Sequence, residues 1–301
     1  MATANKLTIE CNGDIFRGFS WCIDNPKANI IIMEGMEEYC FRYNHFCQYL
    51  NECGFSIYAI DTYGQGQNIN ANDDNIGIWP KNGFTKQVDA YDALVCKLRE
   101  SNLPVYIFAH SMGSYMCQDY LQRYANHTDK VVLCGSGSKN PAVSIGLLLA
   151  KMIVNDKNRN KKAKFLNNLM FGNFNKGIKN PKTDFDWLSY NDDSNAAYIK
   201  DPHCGFGPTN GFCLEFLKGM SKLYTKKGLN QLNKNAKLLI VTGKDDPVSS
   251  FSKSTMTLEK MYKKYGVRDV DIKIYENMRH EIHNEKNNKV AFKDIANFYL
   301  N

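Results

Sequence analysis

Short apolar runs that are typical of β-strands alternate with segments of helical periodicity, and this alternation limits the possible folds more than any other feature. The first four runs lie at residues 28–33, 55–60, 105–109 and 130–134. Apolar residues recur at helical spacing between them, in residues 38–53, 84–100 and 112–124. A β-α-β-α order of this kind predicts a mostly parallel sheet with helices on both faces.

The alternation stops after Gly135 and returns near Lys237. Between them the clearest element is an apolar helix at residues 143–154 (VSIGLLLAKMIV), followed by a basic stretch at residues 157–164 (KNRNKKAK). Further strands at 237–242 and 270–276 and helices at 251–265 and 286–300 then complete the pattern. We therefore expect one α/β core, residues 1–136 and 231–301, interrupted by a mainly helical cap at residues 137–230.

Charge and cysteine content exclude several classes of protein. The 301 residues carry a formal charge of +7, which is mild for a nucleic-acid-binding protein, so we expect no nucleic-acid partner. The ten cysteines include no C-x-x-C pair, which argues against a zinc knuckle or a thioredoxin-type site. No apolar run approaches the roughly 20 residues that span a bilayer. We expect reduced thiols and a cytoplasmic location.

The segment around Ser111 is the strongest chemical signal. Residues 105–109 form an apolar strand, His110 and Ser111 follow at a turn, and a helix begins at Met112. The small residues Ala109 and Gly113 suit the sharp strand-to-helix turn called a nucleophile elbow. Such a turn holds the serine hydroxyl above the sheet edge and directs the Met112 N–H toward an oxyanion on the substrate.

A serine nucleophile needs a histidine base and a carboxylate that orients it. Sites on parallel sheets form where strands end. The strand at 237–242 leads to Asp245 and Asp246, and the strand at 270–276 leads to His280 and His283. Asp246 and His280 fall at the expected places, with Asp245 and His283 as rivals. The two histidines lack the H-E-x-x-H spacing of zinc proteases, so we expect no metal in the site.

Four segments resemble the monoacylglycerol lipase / lysophospholipase group of α/β-hydrolases, often described as serine aminopeptidase-like, and the resemblance covers nearly the whole chain. They are Glu34-Gly-Met-Glu-Glu38-Tyr-Cys-Phe-Arg42-Tyr43, Asp61-Thr-Tyr-Gly64-Gln-Gly66, Gly243-Lys-Asp-Asp246-Pro-Val and Arg279-His280-Glu281. The resemblance implies an α/β-hydrolase fold with a helical cap. It also implies a triad of Ser111, Asp246 and His280, with the backbone N–H groups of Met36 and Met112 as oxyanion donors.

Two positions depart from the family pattern. Ala109 replaces the first glycine of the elbow, a small-for-small change. Glu34 replaces the histidine that precedes the oxyanion glycine. A carboxylate facing the oxyanion hole would oppose the developing negative charge, whereas one pointing behind the loop would leave the Met36 donor intact. Glu34 is the one feature that favours a binding protein of low activity on this fold.

The function implied is a serine hydrolase of carboxylic acyl esters, foremost a monoacylglycerol or lysophospholipid, acting through an acyl-enzyme without a cofactor. An aryl or cinnamoyl esterase, a thioesterase and a small-peptide hydrolase with the same triad are the alternatives. We expect the helix at 143–154 to be buried on the core, and the alternative is a lid face that touches lipid. The basic stretch could then meet anionic headgroups in transient contact with a membrane surface. The oligomeric state stays open.

Overall fold

The computed structural model describes residues 2–172 and 174–301. An eight-stranded sheet has the order β1-β2-β4-β3-β5-β6-β7-β8. Its strands are β1 (Ala4–Cys11), β2 (Asp14–Trp21), β3 (Ala28–Met33), β4 (Phe55–Ile60), β5 (Val105–His110), β6 (Lys130–Cys134), β7 (Lys237–Gly243) and β8 (Asp269–Tyr275). The pairs from β4 through β8 are parallel. The predicted mostly parallel sheet is confirmed.

Ten α-helices occur among the described residues. They are α1 (Asn44–Glu52), α2 (Gly83–Arg99), α3 (Met112–Arg123), α4 (Ala142–Ile153), α5 (Lys164–Phe171), α6 (Asp192–Lys200), α7 (Asn210–Met220), α8 (Lys226–Leu229), α9 (Lys253–Lys264) and α10 (Lys289–Leu300). The segment predicted as one helix at 38–53 is a 3₁₀ turn at Cys40–Tyr43 followed by α1. No helix among the residues that the structure describes is both long and apolar enough to cross a bilayer.

The sheet is covered on both faces. One face packs on α2, α3 and α9, and the other packs on α1 and α10. The central strands are apolar on both sides: Ile31 belongs to the first layer, while Ile30 and Ile32 belong to the second. Double coverage explains why these strands appear as continuous apolar runs.

The first two strands form an antiparallel hairpin that the apolar runs in the sequence did not predict. Cys11 pairs with Asp14 across a turn made by Asn12 and Gly13, whose φ angles are +52° and +82°. Positive φ at both central residues is the reason Asn-Gly is favoured in two-residue hairpins. The Asn-Gly pair was therefore the available signal. The hairpin adds to the sheet edge at β4, far from the candidate active site in sheet order.

The segment between β6 and β7 carries α4 to α8. Helices α4 and α5 pack through apolar side chains on α7. The expectation that residues 143–154 are buried is wrong for most of α4, because only Gly146 and Ala150 are buried there. Close approach to α7 through these small residues leaves the larger apolar side chains on the outer face. The division into a core and a cap at 137–230 stays a prediction.

Candidate active site

Ser111 lies at the tip of a strained turn between β5 and α3. Its φ and ψ are +51° and −119°, a backbone conformation that costs energy for a residue with a side chain. The turn is fixed by hydrogen bonds from the Ser111 N–H to the Cys134 carbonyl (2.9 Å) and from the Ser114 N–H to the Ser111 carbonyl (2.9 Å). A Cβ on Gly113 would lie 2.3 Å from the Met33 carbonyl oxygen, so only glycine lets α3 start this close to β3.

Asp246 and His280 form a buried pair on the loops after β7 and β8. His280 Nδ1 lies 3.0 Å from Asp246 Oδ1, and their side chains are 1% and 0% exposed. Asp246 also accepts hydrogen bonds from the Val248 N–H (2.8 Å) and from Thr242 Oγ1 (3.0 Å). The carboxylate is thus held by three donors and orients the imidazole. Among the described residues, His280 Nε2 has no hydrogen-bond partner.

Asp246 and His280 each stabilise the charged form of the other. Burial works against ionisation of Asp246, but the charge of His280 and the hydrogen bonds to the carboxylate hold its pKa below the ordinary value. Burial also works against a charged imidazole, yet the neighbouring Asp246 carboxylate raises the pKa of His280 above its ordinary value. His280 is therefore a stronger base than a free histidine, as proton abstraction from an alcohol requires.

Ser111 follows β5 and His280 follows β8, so both lie at the carboxyl edge of the parallel strands. Ser111 N–H bonds to Cys134, and a Cβ on the next residue, Gly135, would lie 2.7 Å from His280 Cε1. The ring of His110 is 4.7 Å from that of His280. Ser111 Oγ and His280 Nε2 are not hydrogen-bonded to each other in this structure. Such bonds are often long without substrate and shorten when it binds.

The rival residues occupy different environments. Asp245 Oδ2 accepts a hydrogen bond from the Tyr190 hydroxyl (2.9 Å) rather than from a histidine. His283 is buried and stacks on Tyr43 at 4.6 Å, and burial lowers its pKa well below the ordinary value. Asp246 and His280 are therefore the carboxylate and imidazole that the structure brings together.

The backbone N–H groups of the two predicted oxyanion donors lie in the loop after β3 and at the start of α3. In the loop after β3, the Gly35 N–H donates to Glu38 Oε1 (2.8 Å) and the Glu37 N–H donates to Gln65 Oε1 (2.7 Å). Neither Met36 N–H nor Met112 N–H has an acceptor among the described residues. Fixing the flanking N–H groups preorganises the loop, so that an oxyanion could be bound without reorganisation.

Glu34 points behind the oxyanion loop. Its Oε1 accepts hydrogen bonds from the Thr62 N–H (2.7 Å) and from Gln65 Nε2 (3.0 Å). Burial and the nearby charge of Asp61 raise the pKa of Glu34 well above its ordinary value. Because its carboxyl group is held by Thr62 and Gln65, Glu34 leaves the Met36 N–H available to an oxyanion, and it no longer favours a binding protein of low activity.

A buried ionic network connects the oxyanion loop to the histidine loop, and sequence reasoning assigned it no role. Arg42 donates to Glu38 Oε2 (2.5 Å) and bridges both carboxylate oxygens of Glu281 (2.8 and 2.9 Å). Glu38 Oε1 accepts from Gly35, as above, and lies 3.1 Å from His110 Nδ1. The i,i+4 spacing of Glu38 and Arg42 was a signal for a pair, but no pattern indicated Glu281 as its partner.

Part of the segment between β6 and β7 lies directly over His280. The ring of Trp187 is 5.2 Å from that of His280. The Leu188 carbonyl accepts a hydrogen bond from the Glu281 N–H (2.7 Å), and Arg279 Nη1 donates to the Asp186 carbonyl (2.6 Å). Residues 186–191, the His280 cover, are thus hydrogen-bonded to both neighbours of the histidine.

Comparison with known proteins identifies relatives over most of the chain. A sequence profile described as serine aminopeptidase, S33, matches residues 24–287. A monoacylglycerol lipase of Mycolicibacterium smegmatis is 24% identical over 281 residues, which cover 93% of this chain and 91% of that protein.

Two solved structures are similar in fold. A thermostable carboxyl esterase from Bacillus coagulans, crystallised in complex with glycerol, has a TM-score of 0.91 and 24% identity, covering 100% of this chain and 98% of that one. A soluble variant of the monoglyceride lipase from Saccharomyces cerevisiae has a TM-score of 0.75 and 17% identity, covering 99% and 95% of the two chains. These similarities support the α/β-hydrolase fold.

Proposed function

The chain belongs to the serine aminopeptidase S33 family, and we propose that it is a serine ester hydrolase of the monoacylglycerol lipase type with Ser111, Asp246 and His280 as its triad. One observation carries the proposal: a buried imidazole is oriented through Nδ1 by a carboxylate (3.0 Å) while its Nε2 is left without a partner beside the elbow. This is the arrangement that activates a serine.

The proposed reaction begins with proton transfer from Ser111 Oγ to His280 Nε2 as Oγ bonds to the ester carbonyl carbon. The carbonyl electron pair moves to oxygen, where the N–H groups of Met36 and Met112 stabilise the negative charge. The intermediate then breaks its bond to the alcohol oxygen, which takes the proton from His280. Water attacks the acyl-enzyme by the same route, releasing the carboxylic acid and returning the proton to Ser111.

The substrate class that we propose is a monoacylglycerol or a related small lipid ester. Its support is the relative named monoacylglycerol lipase, which matches over 93% of this chain. Aryl esters, thioesters and small peptides remain the alternatives, because the same triad serves all of them. Comparing turnover of monoolein, a lysophosphatidylcholine, methyl ferulate and an aminoacyl anilide separates these substrate classes.

We also propose transient contact of the predicted cap, residues 137–230, with a lipid surface. Three apolar side chains at i, i+3 and i+7 on α4 are exposed: Ile145 (64%), Leu148 (61%) and Met152 (76%). Phe165 and Leu169 of α5 add exposed apolar area beside them, and basic residues lie in the adjoining loop. An apolar face beside basic residues suits an anionic membrane surface. The cytoplasmic location is likewise a proposal, resting on the ten thiols.

Replacing Ser111 with alanine tests the mechanism. We expect hydrolysis of a short p-nitrophenyl ester to fall by at least about 10⁴-fold, because the nucleophile is removed while the fold is kept. A fluorophosphonate probe should label the native chain and not the variant. Exposed Ser221 offers a matched control, and its alanine variant should retain full activity. Retained turnover in the Ser111 variant, or no labelling of the native chain at saturating probe, would exclude the mechanism.

A further inference from the structure

Outside the candidate active site, three side chains from two elements converge at the surface. Asp92 and Cys96 are four residues apart on α2, so they share one face of that helix, and His127 lies in the loop after α3. Cys96 Sγ is 3.8 Å from Asp92 Oδ2 and 3.9 Å from His127 Nδ1. His127 Nδ1 is 2.6 Å from Asp92 Oδ1. The thiol and the imidazole therefore lie beside the two oxygens of one carboxylate, and one ligand atom from each of the three residues lies within 4.8 Å of the others.

Two other groups of potential metal ligands are buried: His110, Cys134 and His283 form one, and Glu34, Cys40 and Asp61 form the other. Glu34 and His110 already take part in the hydrogen bonds around the candidate active site. The surface cluster differs because Cys96 is exposed and an ion can reach it from solvent.

We infer that Asp92, Cys96 and His127 form a binding site for a divalent transition metal ion, with Zn²⁺ as the best fit. Thiolate, imidazole and carboxylate are the ligand types that Zn²⁺ takes in proteins. Three protein ligands leave the fourth tetrahedral position to water.

The distances support chelation. With metal–ligand bonds of about 2.3 Å to sulfur and about 2.0 Å to nitrogen and oxygen, tetrahedral ligand atoms lie about 3.3–3.6 Å apart. The two separations that involve Cys96 Sγ, 3.8 and 3.9 Å, need only a small contraction. The contact between His127 and Asp92, 2.6 Å, is a hydrogen bond that opens by less than about 1 Å when a cation replaces its proton.

The orientation of His127 excludes a second nucleophilic triad. A catalytic imidazole contacts its carboxylate through one nitrogen and its nucleophile through the other. Here the same atom, His127 Nδ1, faces both Asp92 and Cys96. Burial and the nearby Asp92 carboxylate also raise the pKa of the Cys96 thiol, so the thiol is a poor nucleophile without a cation. With Nδ1 on the side of the other two donor atoms, the imidazole can share a metal ion with them.

Neighbouring side chains hold the ligands in place. The Tyr120 hydroxyl donates to Asp92 Oδ1 (3.3 Å), and the ring of Tyr124 stacks on that of His127 at 5.7 Å. Arg99 donates to the His127 carbonyl (2.7 Å). Contacts of this kind orient metal ligands in known sites. A bound ion would tie α2 to the end of α3. The thiol loses its proton to solvent, while the imidazole proton moves from Nδ1 to Nε2.

Cobalt binding to the metal-free full-length chain tests the site. We expect one Co²⁺ per chain with a thiolate-to-metal absorption band, displaced by Zn²⁺, and one proton released per ion. Cys96→Ser should abolish the band, and His127→Ala should weaken binding by at least about tenfold. Cys22 is the other exposed cysteine and serves as the control, since Cys22→Ser should bind as the native chain does.

Two results would overturn the inference: no thiolate band in the native chain, or a band that persists in Cys96→Ser. The Tm of metal-free Cys96→Ser should equal that of the metal-free native chain, which establishes that the variant is folded. This test of the metal site does not depend on the proposed hydrolase activity.

Discussion

The segment between β6 and β7 contacts the rest of the molecule in two different ways. The His280 cover is held by directional hydrogen bonds from the loop that carries the histidine. Helix α4, by contrast, packs through small apolar residues on α7 and exposes its large ones. Apolar contacts tolerate sliding, whereas a buried hydrogen bond that breaks leaves an unpaired polar group at a cost of about 1–3 kcal/mol. We therefore expect α4 to move before the His280 cover does.

Arg279 makes several of the side-chain contacts that hold the His280 cover in place. Its guanidinium donates to the carbonyls of Asp186 (2.6 Å) and Ser189 (3.2 Å). It also lies 3.9 Å from the centre of the Tyr190 ring, within the range of a cation–π contact. The Tyr190 hydroxyl in turn donates to Asp245 Oδ2, beside the proposed triad acid. Arg279 thus connects the His280 cover to both loops of the acid–base pair.

Arg279→Ala removes hydrogen bonds that hold the His280 cover, and we expect it to have the largest effect on activity of the variants that compare the cover with α4. Loss of the anchor lets the cover and Trp187 shift over His280, and a misplacement of about 1 Å can cost about 10²-fold in rate. We expect kcat for a short p-nitrophenyl ester to fall about 10- to 100-fold, with a smaller change in KM. Steady-state kinetics measure the split.

Two control variants make that result interpretable. Arg279→Lys keeps a donor but loses the planar stack, and it should recover part of kcat. Exposed Arg268 can be replaced by alanine without effect on kcat. If Arg279→Ala stays within twofold of the native kcat while folded, the cover does not position His280.

We expect a smaller effect, on vesicle binding, from a substitution on α4. Leu148→Ser removes an exposed apolar side chain from the proposed lipid-binding face, and inserting a leucine into an apolar phase contributes about 1.5–3 kcal/mol. Binding to phosphatidylglycerol-containing vesicles should weaken about tenfold, with unchanged hydrolysis of a short soluble ester. Sedimentation with vesicles measures the binding.

A matched change elsewhere separates α4 from general apolar exposure. Ile199 on α6 is also exposed (47%), and Ile199→Ser should leave vesicle binding unchanged. Equal weakening by both variants, or by neither, would refute a role specific to α4.

The smallest expected effect concerns Glu37, which joins the oxyanion loop to the turn before α7. Its carbonyl accepts from the Gly205 N–H and its carboxylate from the Gly207 N–H, both at 3.1 Å. Burial raises the pKa of Glu37 to about 7, although the Gly207 N–H and the charge of Lys162 oppose the shift. The folded chain therefore holds a proton that the unfolded chain has lost above its ordinary pKa of 4.5.

The sign of the resulting pH dependence follows from this proton. This group lowers the free energy of unfolding as pH rises from about 4.5 to about 7, by on the order of 1–3 kcal/mol. Glu37→Gln removes the titration, so its Tm relative to the native chain should be higher at pH 8 than at pH 5. Exposed Glu10 provides the control, since Glu10→Gln should shift Tm equally at both pH values. A Glu37→Gln difference that is constant with pH would contradict the assignment.

Local sequence patterns predicted the central part of the fold well. The strands β3 to β7 were found because each is a short, mostly buried apolar run, and β8 was found because its β-branched residues resume the alternation of strands and helices. The hairpin of β1 and β2 was missed, since its alternating, half-exposed strands lack a continuous apolar run. The predicted start of the helix at residue 251 was also wrong, because α9 begins at Lys253. Phe251 and Ser252 precede it with φ angles of +54° and +66°. Neither residue belongs to a type that favours positive φ, so hydrophobic periodicity could not indicate this turn.

By itself the sequence determined the strand–turn–helix around Ser111 and the positions of Asp246 and His280 after late strands, because these depend on short-range backbone preferences. Only the tertiary structure decided that Glu281 bonds to Arg42, 239 positions away, and that Cys96 meets His127, 31 positions away. Such pairs form where the sheet order and helix packing bring distant segments together. Their energy comes from burial and geometry that exist only in the folded chain, so no local pattern encodes them.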